Sequence, residues 1–115
     1  MTLLKIFQII AVVLTIVTGI ISLFWPRSVF GFTGLTAPGP RGITEIRSIL
    51  GGLFIGLGIA VFVLATRETY QMLGIMYLAI GVVRAASMVV DKSVVQSNVI
   101  SLIVEILFGI ILVLP

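Results

Sequence analysis

The sequence predicts an all-α integral membrane protein, a bundle of four antiparallel transmembrane helices. Of its 115 residues, 60% are hydrophobic and only 10% are charged, which is too little polar surface to cover a water-soluble globule. A helix needs about 20 apolar residues to cross the hydrocarbon core, and four stretches are long enough, at about 3–25, 45–65, 70–90 and 97–114. Short connections make successive spans antiparallel, so residues 1–115 are expected to form a single transmembrane domain.

Composition also narrows the chemistry. The chain has no Cys and no His, so the usual ligands of transition metals are missing and we expect no metal and no cofactor. No nucleophile–base pair, phosphate-binding loop or dinucleotide fingerprint appears, which argues against an enzyme; a lipid-modifying reaction is the one alternative. The net charge of +3 comes from scattered basic residues, which suits anchoring in the membrane interface and not nucleic acid.

The first span carries a stripe of small polar residues. Gln8, Thr15 and Ser22 follow at heptad spacing, a pattern typical of close helix packing in lipid, with the lining of a cavity as the alternative. The span is too long for a cleaved signal peptide and ends at Trp25-Pro26, where Trp suits the headgroup boundary and Pro stops a helix. We therefore expect a retained transmembrane helix.

The connection 26–44 is the longest stretch outside the spans. Its repeated Gly and Pro residues exclude one regular helix, while its aromatic and aliphatic residues keep it apolar enough to lie on the membrane. Loops of this length are often functional. A lid over one end of the bundle and a passive interfacial turn both fit the sequence.

The second span opens with Glu45-Ile46-Arg47, and an acidic residue suits the positive end of a helix dipole. Small residues then occupy two faces of the helix, which predicts close neighbours on both sides. One face steps by four from Ser48, and the other follows Arg47. The predicted packing residues of this span are Ser48, Gly51, Gly52, Gly56 and Gly58.

The third span places Arg84 deep in an apolar run. A charge near the bilayer centre costs about 2.5–3.5 kcal/mol on insertion scales, so such residues face the protein interior and find a partner. Tyr77, Arg84 and Asp91 share one face at heptad spacing, and Gly74 and Gly81 form an adjoining packing stripe. Arg84 is therefore expected to anchor a buried polar site.

The partner of Arg84 follows from depth. At ~1.5 Å per residue, Arg84 lies ~10 Å from the 91–96 connection, and Glu105 on the fourth span lies ~12 Å from it. The two residues are level, so we predict that they pair. Antiparallel topology brings the start of the second span into the same half of the membrane. The predicted polar site thus comprises Glu45, Arg47, Tyr77, Arg84, Asp91, Ser101 and Glu105.

Such a site has two interpretations. A buried ion-pair network fixes the register and orientation of helices without adding much stability. Alternatively, Arg47 and Arg84 present guanidinium groups to a carboxylate or phosphate headgroup, since Arg matches these anions in bidentate fashion. The tail of the amphiphile then lies between the glycine-rich faces.

The motifs Glu45-x-Arg47 followed by Gly51-Gly52, Gly81-x-x-Arg84, and Glu105 resemble those of a family of small four-span prokaryotic membrane proteins known as a domain of unknown function. The resemblance covers essentially the whole chain. More loosely, the architecture is similar to that of the DoxX-like membrane proteins, several of which are subunits or partners of redox enzymes. The resemblance implies a four-helix bundle with these charged residues as its marked positions, and it implies no activity.

We expect either a small accessory or structural subunit of a larger membrane complex, or a bundle that binds an amphiphile such as a lipid or a quinone-like molecule. The alternative is a carrier or channel for small anions or protons that works as a homo-oligomer. The expected location is the plasma membrane. Basic residues predict a cytoplasmic long loop, because Arg27, Arg41, Arg47 and Lys92 lie on its side and Lys5 and Arg67 on the other.

Overall fold

The computed structural model describes residues 2–115, and every regular element among them is helical. The elements in chain order are α1 (Leu3–Phe24), a 3₁₀ turn (Pro26–Ser28), α2 (Val29–Thr33), α3 (Pro40–Glu45), a π-helical stretch (Ile46–Leu53), α4 (Phe54–Leu64), α5 (Arg67–Val90) and α6 (Gln96–Val113). Four helices are long and apolar enough to cross a membrane: Leu3–Phe24, Pro40–Leu64, Arg67–Val90 and Gln96–Val113. The predicted fold class is confirmed.

The second span begins at Pro40, earlier than the predicted start at residue 45. Gly39 is extended and precedes the helix, and Pro40 occupies its first turn. Proline is favoured there because its missing N–H would have no helical partner and its fixed φ suits the helix. Glu45 therefore lies inside the helix, more than one turn from the N-terminus where the sequence placed it.

The connection between α1 and α3 is not one regular helix, as the sequence indicated. The short α2 ends at Gly34, whose φ of 75° is left-handed. Glycine commonly ends helices in this way because it lacks a Cβ that would clash. Residues 34–39 form no regular element, and α3 follows at Pro40.

A π-helical stretch, Ile46–Leu53, joins α3 to α4 within the second span. Its backbone hydrogen bonds run from each N–H to the carbonyl five residues earlier, one residue further than in an α-helix. Runs of this kind are rare and are frequently found at functional sites. Here the stretch contains Gly51 and Gly52 and no proline.

The chain forms two compact units, and the first comprises Val12–Val63. Within it, α1 and the second span run antiparallel and approach closely at glycines. A Cβ placed on Gly19 would lie 2.8 Å from the carbonyl oxygen of Gly51, and one on Gly51 would lie 3.0 Å from the Cβ of Leu23. A Cβ on Gly58 would overlap the side chain of Ile16. Gly51 and Gly58 are thus packing positions.

The other face of the second span differs from the expectation. Ser48, Gly52 and Gly56 are exposed, and a Cβ on Gly56 would meet nothing within 4 Å. Among residues 2–115, these three make no close helix contact. The helix is packed along one small-residue stripe and not along two.

The second unit comprises the chain up to Ala11 together with Leu64–Pro115. In it α5 and α6 are antiparallel neighbours that cross at a pair of glycines. A Cβ on Gly74 would lie 2.9 Å from the carbonyl oxygen of Gly109, and one on Gly109 would lie 3.1 Å from that of Gly74. About two turns further along α5, Gly81 packs against Ile106 of α6. The two backbones can approach this closely only because both crossing residues lack side chains.

Side-chain amides cap the end of α6. The last four carbonyls of a helix have no partner within it. The Nε2 of Gln8 donates to the carbonyl oxygens of Ile111 and Leu114, both at 3.0 Å, and the Nε2 of Gln71 donates to that of Val113 at 3.3 Å. Gln8, predicted as part of a packing stripe, therefore also binds the start of α1 to the end of α6.

The glycine crossing gives a stability prediction. Gly74→Ala places a methyl group against the backbone of α6, so we expect the free energy of unfolding to fall by about 1–3 kcal/mol, the usual cost of overpacking. The measurement is loss of helical circular dichroism in detergent micelles titrated with sodium dodecyl sulfate. Gly56→Ala is the matched control. There the methyl group enters open space and Ala favours the helix by ~1 kcal/mol, so stability is expected to hold or rise. Equal losses in both variants would contradict a close helix crossing at Gly74.

Candidate functional site

The ion pair between Arg84 of α5 and Glu105 of α6 is the centre of the site. The Nε of Arg84 donates to one carboxylate oxygen of Glu105 at 2.7 Å, and its Nη2 donates to the other at 2.8 Å. The contact is bidentate, the strongest geometry for this pair of groups. The side chain of Glu105 is 11% exposed and that of Arg84 is 31% exposed. The carboxylate is thus buried while the guanidinium reaches a surface.

Asn98 completes the coordination of Arg84. Its Oδ1 accepts a hydrogen bond of 2.9 Å from the Nη1 of Arg84, and its Nδ2 donates to the carbonyl oxygen of Ser93 at 2.9 Å. Asn98 therefore links the guanidinium to the connection that precedes α6. The predicted site omitted it, although its helical spacing of seven from Glu105 places it on the same face of α6.

A groove of about 560 Å³ lies beside this cluster, within the second unit. Volumes of 300–1,000 Å³ are typical of sites for small molecules. Arg84 lines the groove, as do residues on the exposed side of α5 and in the connection to α6. The lining residues are Ala79, Ile80, Val83, Arg84, Ser87, Asp91, Ser93 and Asn98.

The lining changes character along the groove. Ala79, Ile80 and Val83 line it before Arg84 in the chain, and Ser87 and Asp91 line it after. Because the 1.5 Å rise of a helix sets depth, the apolar part lies nearer the middle of the span and the polar part nearer its end. The groove is therefore amphipathic along its length.

Of the other residues predicted for the site on α5 and α6, some line the groove and others are buried between the helices. Asp91 lines the groove but forms no ion pair with Arg84 among residues 2–115. Tyr77 is buried and packs edge-on against Phe108, with ring centroids 5.6 Å apart. Ser101 is half-buried and is not among the groove residues. Tyr77 thus belongs to the contact between α5 and α6.

Glu45 and Arg47 were expected to extend the network. Glu45 instead pairs with Arg41, four residues earlier on α3, and both side chains are exposed. The pairing follows from the earlier start of the helix at Pro40, which places Arg41 one turn before Glu45. Arg47 is exposed and makes no ion pair among the described residues. An exposed pair of this kind contributes little to stability.

Four apolar spans with a paired charge inside them define a multi-pass membrane protein with a buried polar centre. The chain belongs to the DUF4345 family, a domain of unknown function, whose model matches residues 3–115. The resemblance inferred from the motifs of the second, third and fourth spans is confirmed. No curated protein and no solved structure matches the chain at a significant level.

The ion pair gives a double-mutant prediction. Arg84→Gln leaves Glu105 buried without its charged partner, and Glu105→Gln strands Arg84, so we expect each to lower the free energy of unfolding by about 1–3 kcal/mol. The double variant removes both charges, and its loss is expected to be smaller than the sum of the two. Sodium dodecyl sulfate titration in micelles measures all four proteins. Strictly additive losses would show that the pair carries no coupling energy.

Proposed function

We propose that this protein binds an amphiphile in the groove beside Arg84, with the polar group of the ligand at Arg84 and its apolar tail along Ala79 and Val83. The supporting observation is the amphipathic groove of about 560 Å³ that ends at a partly exposed guanidinium. Ligand sites typically combine a largely apolar lining with a few fixed polar groups.

Arg84 retains donors for such a ligand. A guanidinium has five N–H groups, and three of them are used, two on Glu105 and one on Asn98. The remaining hydrogens on Nη1 and Nη2 are available to an acceptor in the groove. Because Glu105 and Asn98 hold the guanidinium from two sides, it is orientated before a ligand arrives, which lowers the entropic cost of binding.

The charge balance favours an uncharged headgroup. The sequence suggested that Arg84 would receive a carboxylate or phosphate, but Glu105 already occupies the fork of the guanidinium and neutralises it. Asp91 adds a carboxylate to the groove lining. The carboxylates repel a second anion there. A carbonyl oxygen, as in a quinone or an acylglycerol, accepts hydrogen bonds from the free N–H groups without this electrostatic repulsion.

Ligand retention in native mass spectrometry tests the groove. The probes are decylubiquinone and monoolein, with oleate as the anionic comparison. Ala79→Phe fills the apolar part of the groove without touching the ion pair, and we expect it to abolish retention of the neutral probes. Ala85→Phe is the matched control, because Ala85 is also exposed on α5 but does not line the groove. Equal retention in the two variants, or preferential retention of oleate, would count against this site.

A role as an accessory subunit of a larger complex is the second candidate. It is favoured by the exposed small residues Ser48, Gly52 and Gly56, since faces of this kind let helices of different chains approach closely in lipid. Native electrophoresis of the mildly extracted protein distinguishes a larger assembly from the chain with its detergent.

The third candidate, a proton or anion carrier, gains no support from the geometry, because both oxygens of Glu105 are bound by Arg84.

We also propose a location in the plasma membrane with the long connection on the cytoplasmic side, from the distribution of basic residues. The chain has no Cys, so single cysteines report orientation without background. A cysteine replacing Thr36 is expected to resist a membrane-impermeant maleimide added to intact cells and to react after lysis. One replacing Thr66, in the short turn between α4 and α5, is expected to react in intact cells. The opposite pattern would reverse the orientation.

A further inference from the structure

A second pocket lies at the opposite end of α5 from the groove. It has a volume of about 200 Å³, and Lys5, Gln8, Arg67 and Tyr70 are among its lining residues, all within the second unit. It lies where α1 and α5 begin and α6 ends. These are the ends of three apolar spans, the level at which lipid headgroups meet a membrane protein.

The pocket carries two cationic side chains and no acidic one. The Nζ of Lys5 lies 3.7 Å above the centre of the Tyr70 ring, so a cation–π contact holds it in place. Lys5 makes no ion pair among residues 2–115, so this contact leaves its positive charge available. Arg67 makes no ion pair among residues 2–115, and the nearest acid in sequence, Glu68, does not line the pocket.

The surroundings increase the positive potential. Arg67 is the first residue of α5, where the helix dipole places its positive end. Thr66 caps the helix by accepting from the N–H of Thr69. Gln8 uses both amide hydrogens on carbonyls of α6, so it holds the wall of the pocket and offers no donor to a ligand.

We propose that this pocket is a binding site for a phosphate oxyanion, which Lys5 and Arg67 recognise as charged donors. At the end of three spans the lipid headgroup is the source that the geometry favours, because the acyl chains of an anionic phospholipid then lie along the exposed aliphatic surface. Lys and Arg side chains form strong, charge-assisted hydrogen bonds with phosphate oxygens, so such a pocket suits a phospholipid headgroup. The site is distinct from the groove at Arg84, whose charge is already compensated.

Native mass spectrometry of the detergent-solubilised protein tests this site, with dioleoyl phosphatidylglycerol as the probe. The protein carries a C-terminal tag, so that no terminal carboxylate lies at Pro115. We expect one retained lipid per chain, and a loss of about tenfold or more in apparent affinity for the double variant Lys5→Gln/Arg67→Gln, since hydrogen bonds to charged groups are lost. Tyr70→Leu, which removes the ring beneath Lys5, is expected to weaken binding to a smaller degree.

The matched control is Arg27→Gln/Lys92→Gln, which removes the same charge from span ends outside the pocket. Its affinity for the lipid is expected to be unchanged, and circular dichroism checks that every variant remains helical. An equal loss in the control would show a general effect of net charge and overturn the site, as would full retention in the pocket variant.

Competition by sn-glycerol 3-phosphate identifies the source of the bound phosphate group. Displacement at comparable concentration assigns the oxyanion site to free phosphate esters, and no displacement assigns it to the lipid.

Discussion

The interaction on which the rest of the second unit depends is the bidentate contact between Arg84 and Glu105. A charge inside a span is costly unless it finds a partner, and Glu105 of the neighbouring helix supplies a carboxylate to Arg84 at the same depth. That requirement fixes which residues of α5 and α6 are level. The glycine crossing at Gly74 and Gly109 then lets the two backbones approach closely, and the buried ring of Tyr77 on α5 packs edge-on against Phe108 of α6.

Depth arguments of this kind explain why part of the site could be predicted from the sequence. The rise of a helix and the position of a short connection are sufficient to bring Arg84 and Glu105 to one level. The hydrogen bond from Asn98 to the carbonyl oxygen of Ser93 is different, because it depends on the path of residues 91–95, where Lys92 adopts a left-handed conformation. Hydropathy and spacing carry no information about such a turn.

The packing of the second span was harder still to predict from the sequence. Its two stripes of small residues look equivalent in sequence, yet within residues 2–115 only the one containing Gly51 and Gly58 packs against another helix. Because the helix starts at Pro40, Glu45 pairs with Arg41 one turn earlier and does not join the predicted site around Arg84. The π-helical stretch Ile46–Leu53 was not predicted, because it contains no proline and nothing in its composition distinguishes π-helical from α-helical hydrogen bonding.

The compensation of charge at Arg84 has an electrical consequence. Moving one elementary charge across the membrane potential changes the energy by about 2.3 kcal/mol per 100 mV, but an ion pair with no net charge experiences no net force from that field. The Arg84–Glu105 pair therefore contributes no gating charge, and a neutral ligand entering the groove leaves this balance intact. Binding of the proposed uncharged amphiphile in the groove is then expected not to depend on the membrane potential.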